Sequence, residues 1–181
     1  RVRALGDLRQ GRRVIRFDLA GERIELAADA EDAAALTRLA GQFTGLLGAS
    51  AATAEHAPAT DPALRRLLPD PVQDDPEESE EVRGLTAVAL VEHKRANAER
   101  VAATLARPGA LEPRDELAWL QWLTDIRLVL AARLGILVDG DEGLVETEEQ
   151  RAMGWTYHAL GALQAELLEL LDERAAQRAG S

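Results

Sequence analysis

The sequence predicts a mainly α protein in which a small N-terminal β-hairpin precedes a bundle of four to five helices. Near the N-terminus, apolar and polar residues alternate with the period of two that a half-buried strand requires. Further along, long segments carry apolar residues at steps of three and four, which is the helical period. The chain has 181 residues, of which 46% are apolar and 29% charged. This length and composition fit one globular domain, which we place at residues 1–181.

We place the hairpin at residues 10–27, with its turn at Ala20-Gly21, because glycine is favoured in tight hairpin turns. The apolar positions of its two strands are Ile15, Phe17, Leu19, Ile24 and Leu26. A two-stranded hairpin is marginally stable in water. We therefore expect it to lie against other elements or to pair with a second copy of the chain.

A helix is expected at residues 30–47, with Gly48 as its stop. Residues 48–81 are expected to form a loop that contains one short helix over 62–68. The end of this loop, residues 70–81, holds seven acids and no base. We interpret it as a solvated linker whose last residues begin the next helix, where acids favour the helix dipole. Weak binding of a divalent cation is the alternative, although the ligand spacing of a calcium loop is missing.

The short helix carries the sequence DPALRRLLP, which we call the Leu-Arg box (residues 61–69). Asp61 is predicted to cap the helix and Pro62 to occupy its first position. The leucines are expected to pin it to the bundle and the following proline to end it; these residues are Leu64, Leu67, Leu68 and Pro69. Arg65 and Arg66 are expected to point outward or toward neighbouring carboxylates.

Three long helices are predicted at residues 77–106, 113–135 and 146–176, the first with a break near Gly84. On the first, His93, Lys94, Arg95 and Arg100 are expected on the exposed side. The seam of the second is Trp119, Leu123, Ile126, Leu130 and Leu134. The inward stripe of the third is Trp155, Ala159, Leu163, Leu167 and Leu170/Leu171. Its acids, Glu166, Glu169, Asp172 and Glu173, are expected on a solvated face.

Two features of the second long helix admit a functional interpretation beside a structural one. Trp119 and Trp122 are expected to form core plus a contact at its rim, and a partner-facing tryptophan is the alternative. Asp125 and Arg127 flank Ile126 and are expected at the edges of the helix, where a paired charge fixes geometry.

The sequence lacks the signatures of the common enzyme classes. It has no cysteine and three histidines, and it contains no GxGxxG, P-loop, GxSxG or HExxH motif. We expect structural or surface roles for His56, His93 and His158. We therefore predict a protein that is not an enzyme and that has no catalytic residues, metal site or cofactor. An enzyme would need a polar pocket that this pattern does not reveal.

The charge argues against general nucleic-acid binding, because the net charge is −11 and phosphate neutralisation supplies most non-specific affinity. The basic residues are uneven, with six arginines in the first 16 residues. The candidates for contact with DNA or a partner are Arg12, Arg13, Arg65 and Arg66. No apolar run reaches the roughly 18 residues of a membrane span. The N-terminal stretch has no apolar signal core, so we expect a cytoplasmic protein.

Three stretches together resemble one family. They are DPALRRLLPD (residues 61–70), WLTDIRLVLAARLGI (residues 122–136) and WTYHALGALQAELLELL (residues 155–171). They are similar to the AosR-type actinobacterial regulators, long a family of unknown function and often encoded beside the ClpS protease adaptor. The resemblance covers nearly the whole chain. It matches Arg65, Arg66, Leu67 and Leu68 in the box, and Asp125 and Arg127 in the helix.

The resemblance implies a homodimeric regulatory protein that acts in transcription during oxidative stress through DNA and a sigma-factor partner. In that setting redox sensing is attributed to a cysteine pair. This chain has no cysteine, so sensing by its own thiols is excluded. The alternative function is an interaction module in Clp proteolysis, which the ClpS neighbourhood suggests. A lone hairpin, a wide apolar stripe and extra tryptophans also favour a homodimer.

Overall fold

A computed structural model describes residues 15–54, 61–68, 76–138, 141 and 143–180, and for 49–54 and 76–86 it describes the backbone alone. These residues form a three-stranded antiparallel sheet and five helices, which confirms the predicted fold class. Residues 10–14 of the predicted hairpin lie outside the described ranges.

The hairpin consists of β1 (Arg16–Ala20) and β2 (Arg23–Ala27), paired antiparallel with Ala20 opposite Arg23. The turn is therefore Gly21-Glu22, and the prediction of Ala20-Gly21 was wrong by one residue. Gly21 has a φ of +64°. A type II′ hairpin turn requires a positive φ at its first central position, and glycine supplies this without steric cost.

The hairpin is supported on both edges by other elements of the same chain. On one edge, the two-residue strand β3 (Gly109–Ala110) pairs with β2, an element that the sequence did not predict. On the other edge, the Phe17 N–H donates to Glu166 Oε1 at 3.0 Å. Glu166 belongs to the last helix, so its placement on a solvated face was wrong. The carboxylate satisfies an outward amide of an edge strand, where such groups are otherwise left open.

The first half of the helical region differs from the prediction at its boundaries. Helix α1 (Ala30–Ala54) continues past Gly48, which lacks a positive φ, because the residues that follow are mostly alanine, a strong helix former. Helix α2 (Pro62–Leu67) lies where it was predicted. Helix α3 (Pro76–Ala106) begins one residue before its predicted start, with proline at its first position, and runs through Gly84 without the predicted break.

The last two helices, α4 (Pro113–Leu134) and α5 (Glu148–Ala179), are close to their predicted positions. Helix α4 ends at Gly135, whose φ of +69° is the left-handed conformation of a helix C-cap. Helix α5 begins after Thr147, which caps it by accepting the Gln150 N–H at 3.1 Å. None of the described helices is both long enough and apolar enough to span a bilayer.

Helix α4 lies at the centre of the core and packs against α2, α3 and α5. Trp119, Trp122 and Leu123 are fully buried on it. Phe17 of β1 meets Trp119 edge to face, with ring centroids 5.3 Å apart. The hairpin and the helical bundle therefore share one apolar core.

Candidate functional site

The connection between α4 and α5 folds back along the end of α4. The Leu144 N–H donates to the Leu134 carbonyl oxygen at 2.7 Å. Gly143 permits this approach, because its φ is +70° and a Cβ there would lie 2.8 Å from Ile136 Cγ1. The close return of the chain therefore depends on glycine at this position.

Five apolar side chains are exposed on this connection and on the adjoining start of α5. Leu137 is 78% exposed and Trp155 is 59% exposed. We name the set the connection surface; its members are Leu137, Val138, Leu144, Val145 and Trp155. Arg151 lies between its two parts, since its Nη1 donates to the Val145 carbonyl oxygen at 3.3 Å and it precedes Trp155 by one helical turn. Exposed apolar side chains that are grouped mark an interaction site more often than isolated ones do.

Trp155 was predicted on the inward stripe of α5, and that prediction was wrong. The buried residues of α5 are Thr156, Leu160, Leu163 and Leu167. Thr156 can occupy the buried position because its hydroxyl donates to the Ala152 carbonyl oxygen of its own helix at 2.9 Å. Leu163 and Leu167 are buried as predicted, so only the first turns of α5 differ from the prediction, and Trp155 is largely exposed.

The described part of the connection carries more acids than bases. Among the described residues of 137–155 there are four acids and one base, Arg151. Asp141 is held beside the Leu137 backbone, because its Oδ2 accepts the Leu137 N–H at 3.3 Å. Glu148 lies two helical turns before Trp155, so the two residues share one side of α5.

The Leu-Arg box docks α2 onto the end of α4, as the sequence predicted. Asp61 Oδ1 accepts the Ala63 N–H at 2.8 Å, and its Oδ2 accepts from Arg133 Nη2 at 2.6 Å. Burial acts to raise the pKa of Asp61, but the hydrogen bonds and charge of these partners lower it below its usual value. Leu64 and Leu67 are buried. Pro62 stands at the first helical position and Leu68 packs against the core, while Pro69 lies outside the described residues.

The two arginines of the box differ in their surroundings. Arg66 Nη2 donates to the Ile136 carbonyl oxygen at 2.7 Å, so the expectation of an outward or carboxylate-directed side chain was wrong for this residue. Arg65 is exposed, as expected. Because Ile136 directly precedes Leu137, Arg66 fixes the point from which the connection surface begins. Arg12 and Arg13 lie outside the described residues.

The two tryptophans of α4 are core residues, and the partner-facing interpretation was wrong for both. Each is 0% exposed, and their rings meet edge to face with centroids 5.8 Å apart. Trp119 Nε1 donates to Thr104 Oγ1 of α3 at 3.0 Å. Trp122 Nε1 is buried without a hydrogen-bond partner among the described residues. Trp122 is therefore placed to fill volume in the core.

Asp125 is buried on α4, where an edge position was expected. Its Oδ1 accepts from Lys94 Nζ of α3 at 2.6 Å, so the prediction of an exposed Lys94 was also wrong. Burial raises the pKa of Asp125, and the Lys94 hydrogen bond and charge act against that rise. Asn97 donates to Gln121 Oε1 at 2.7 Å beside this pair. A buried pair of this kind orients α3 against α4.

Arg127 lies between α4 and α5 and is half-buried. Its Nη1 donates to Gln164 Oε1 at 2.7 Å, and its Cζ lies 4.9 Å from the centre of the Tyr157 ring. Gly161 leaves room for the guanidinium, because a Cβ there would lie 3.3 Å from Cζ. Arg127 thus fixes the geometry of the two helices, in the way the sequence interpretation proposed for a charge at this position.

A second buried ion pair escaped the sequence interpretation. Arg174 donates from Nη1 and Nη2 to the two carboxylate oxygens of Glu116, each at 2.6 Å. Glu116 is 3% exposed, and its hydrogen bond raises the pKa of Arg174. In sequence Glu116 is an ordinary acid of a first helical turn. Its partner is 58 residues away, so no local pattern could have identified the pair.

The described residues show little of the machinery of an active site. They contain no group of three or more His, Cys, Asp or Glu side chains placed to hold a metal ion. His93 and His158 are exposed, and His56 lies outside the described residues. An open groove of about 560 Å³ between the start of α1 and the end of α3 is lined mainly by alanine, with Asp29, Thr37 and Arg38 as its polar members. The connection surface is therefore the stronger candidate for a functional site.

Comparison with known proteins identifies a family without assigning an activity. No curated protein and no solved structure matches the chain. A family model described as "Domain of unknown function (DUF2017)" matches residues 14–171. That range includes the hairpin, the Leu-Arg box, all five helices up to Leu171, and the connection surface. The chain therefore belongs to the DUF2017 family of unknown function.

Proposed function

We propose that this chain is a non-enzymatic regulatory protein that acts in transcription by binding a protein partner through the connection surface. The observation that carries the proposal is the exposure of Leu137, Val138, Leu144, Val145 and Trp155 on the connection and the start of α5. The resemblance to AosR-type regulators supplies the process, a stress response, and the kind of partner, a sigma factor.

The physical support is the cost of leaving these side chains in water. A buried aromatic side chain contributes strongly to a complex, and tryptophan is enriched among the residues that dominate binding energy. In contrast to Trp119 and Trp122, Trp155 adds nothing to the core. The surface is also held in place, because Arg66 binds the Ile136 carbonyl and Leu144 binds Leu134. A fixed surface loses less conformational entropy when it binds.

A protein partner is favoured over DNA on the charges of the described residues. Four of the described acids lie between residues 137 and 155. Of the four arginine candidates, Arg66 is engaged with a backbone carbonyl and Arg65 is exposed on α2. Arg12 and Arg13 could add DNA contacts, which would make binding strongly salt-dependent. Direct DNA contact is therefore a secondary part of the proposal.

The signal that such a regulator would answer does not involve thiols of this chain, because the sequence has no cysteine. A homodimer stays part of the proposal, although its basis is narrower than the sequence implied. The hairpin is supported within the chain, and two of the three tryptophans are buried. Light scattering over a range of concentrations tests it, and a monomer at every concentration would refute it.

Affinity capture with matched variants tests the proposed function. The full chain, a Leu137→Ser/Trp155→Ala variant and a Leu117→Ser/Leu168→Ser control are used as baits, with and without nuclease. Leu117 and Leu168 are also exposed leucines, but they lie outside the connection surface. We expect a sigma factor to be retained by the chain and the control after nuclease treatment, and lost from the first variant. Retention of ClpS or an unfoldase instead would favour the Clp-proteolysis alternative. Equal retention by all three baits would contradict a role for the connection surface.

A further inference from the structure

The acids around the connection surface are arranged to meet a partner's charge at its margin. Asp141 lies beside Leu137, since its Oδ2 accepts the Leu137 N–H at 3.3 Å. Glu146 directly follows Val145 in sequence, and Glu148 shares one side of α5 with Trp155. All three carboxylates belong to exposed residues. Solvated carboxylates therefore adjoin Leu137 and Val145, and a third lies two helical turns from Trp155 on the same side of α5.

The two arginines placed beside this surface, Arg66 and Arg151, donate to backbone carbonyl oxygens, those of Ile136 and Val145. Arg151 reaches toward the Val145 carbonyl oxygen, with its Nη1 at 3.3 Å, and not toward a carboxylate of the described part of the connection. With four acids and one base, the described residues of 137–155 carry a formal charge of −3, from −4 and +1. An apolar centre with a negative margin is complementary to an apolar centre with a positive margin.

We infer that the connection surface binds a basic amphipathic segment of its partner, in which a face of large apolar side chains is flanked by lysine or arginine. This inference rests on the proposed function and names the chemistry of the partner at the same site. The apolar face covers Leu137, Val138 and Trp155, and the flanking cations meet Asp141, Glu146 and Glu148. Helical segments with apolar residues at steps of three and four present such a face.

A second copy of the chain is a poorer occupant for the same reason. If two connection surfaces met face to face, the described residues of each would bring a formal charge of −3 to one interface. Like charges placed opposite each other oppose association. Nucleic acid is disfavoured by the same charge.

The tryptophan distribution provides a direct probe of this site. The chain has three tryptophans, and only Trp155 is exposed. A change in tryptophan emission or in quenching by acrylamide therefore reports on Trp155. The ligands are two synthetic peptides of about 18 residues with leucine at helical spacing, one with lysine and one with glutamate at the flanking positions. We expect the lysine peptide to shift the emission to shorter wavelength and to protect Trp155 from quenching, and the glutamate peptide to do neither.

Two variants with equal net charge distinguish the effect of the acids beside the connection surface from the effect of the overall charge of the protein. Asp141→Asn/Glu146→Gln/Glu148→Gln removes three acids beside the surface, and Glu92→Gln/Glu169→Gln/Asp172→Asn removes three exposed acids elsewhere. Each changes the net charge from −11 to −8, because three negative charges are lost. We expect the variant at the surface to bind the lysine peptide about three- to tenfold more weakly than the unchanged chain does. The variant with substitutions elsewhere should lose less than about twofold in affinity. The affinity should fall with salt for the unchanged chain and less steeply for the first variant.

The outcomes separate this inference from the proposed function. Equal binding of both peptides, or equal effects of the two charge variants, would overturn the inference that the surface binds a basic segment. The inference would also be overturned if Trp155 became protected with increasing protein concentration in the absence of peptide, since a second copy would then be the occupant. If partner capture was lost in Leu137→Ser/Trp155→Ala but unaffected by the three charge substitutions at the margin, the proposed function would stand and the inference would fail. If capture did not depend on Leu137 and Trp155, the proposed function itself would fail.

Discussion

The middle of α4 and the start of α5 use tryptophan in opposite ways. Trp119 and Trp122 are 0% exposed and meet edge to face between the hairpin, α3 and α4. Trp155 is 59% exposed beside four exposed aliphatic side chains. In the first region, buried apolar surface stabilises the fold. In the second region, the apolar surface is exposed and can bind a partner.

The difference shows why tryptophan content alone does not identify an interface. Residues of the same type lie in the core or in solvent according to which side of a helix the tertiary structure covers. The buried region is closed by elements from distant parts of the chain, since Phe17 and Thr104 both contact Trp119. The exposed region lies on a connection whose two arms contact each other. Substitutions in the two regions should therefore affect different properties.

The largest effect is expected in the buried region. Trp119→Ala should lower the free energy of unfolding by about 3–5 kcal/mol, because a large cavity opens and Thr104 loses a hydrogen-bond donor. Trp119→Phe, which keeps most of the ring contact, should cost less. Urea unfolding followed by circular dichroism measures both. A loss below about 1 kcal/mol for Trp119→Ala would contradict the contrast between the regions.

Breaking the buried ion pair that joins the ends of α4 and α5 should cost nearly as much. Glu116→Ala leaves the Arg174 guanidinium without its two hydrogen bonds, and we expect a loss of about 3 kcal/mol. The double substitution Glu116→Met/Arg174→Met should recover much of this loss, because no unpaired charge stays buried. If the double variant were as unstable as Glu116→Ala in the same urea experiment, packing rather than charge would account for the effect.

An intermediate effect on the free energy of unfolding is expected at Asp61, which caps α2. Asp61→Ala should cost about 1 kcal/mol, and Asp61→Asn less, because asparagine still accepts the Ala63 N–H. The carboxylate has a lowered pKa, so its folded state binds a proton less readily than the unfolded state does. Its contribution is present above the ordinary value of 3.8 and is lost as the pH falls through the lowered pKa.

The Asp61→Asn variant also tests that pH dependence. Its urea midpoint should fall less steeply than that of the unchanged chain as the pH is lowered from about 5 to 3. Identical slopes for the two proteins would show that the Arg133 contact contributes no stability of its own.

A smaller effect on stability is expected from alanine substitution at two glycines of α5, and it should differ between them. Gly154 has no atom within 4 Å of the position of an added Cβ, whereas the same position at Gly161 lies 3.3 Å from Arg127 Cζ and Nε. Gly154→Ala should therefore stabilise the protein by about 0.5–1 kcal/mol through helix propensity. Gly161→Ala should gain less, or lose stability, because Arg127 must move. Thermal unfolding of the two variants compares them, and an equal gain at Gly161 would show that Arg127 yields freely.

The smallest effect on stability is expected in the exposed region. Trp155→Ala should change the free energy of unfolding by less than about 0.5 kcal/mol, because the side chain is largely in solvent. A loss comparable to that of Trp119→Ala would place Trp155 in the core and remove the basis of the connection surface. Binding and stability should thus be separable at this residue.

Much of the fold could be predicted from local pattern. The period-two hairpin, the Asp61-Pro62 helix start and the apolar seam of α4 each follow from neighbours in sequence. The continuation of α1 past Gly48 was missed because Gly48 was taken as the helix stop. The helix propensity of the alanines that follow is greater than the cost of that glycine. The strand β3 was missed because two residues carry no period and depend on the hairpin for pairing.

The candidate site could be predicted only in part. Trp155 was placed inward because apolar periodicity prefers tryptophan to Thr156, and sequence alone does not show that the threonine hydroxyl is satisfied within its own helix. The buried acids Glu116 and Asp125 have partners on other helices, so their burial depends on tertiary contacts. The role of Arg66 likewise needs Ile136, 70 residues away.

The most direct test of the central claim is site-specific photocrosslinking in the native cell extract. Trp155→benzoylphenylalanine places a photoreactive aromatic group of similar size on the connection surface, and Leu168→benzoylphenylalanine places it on an exposed part of α5 outside that surface. We predict that position 155 forms a discrete adduct with one protein partner and that position 168 does not. The same adduct at both positions, or one at position 168 alone, would contradict the assignment of partner binding to the connection surface.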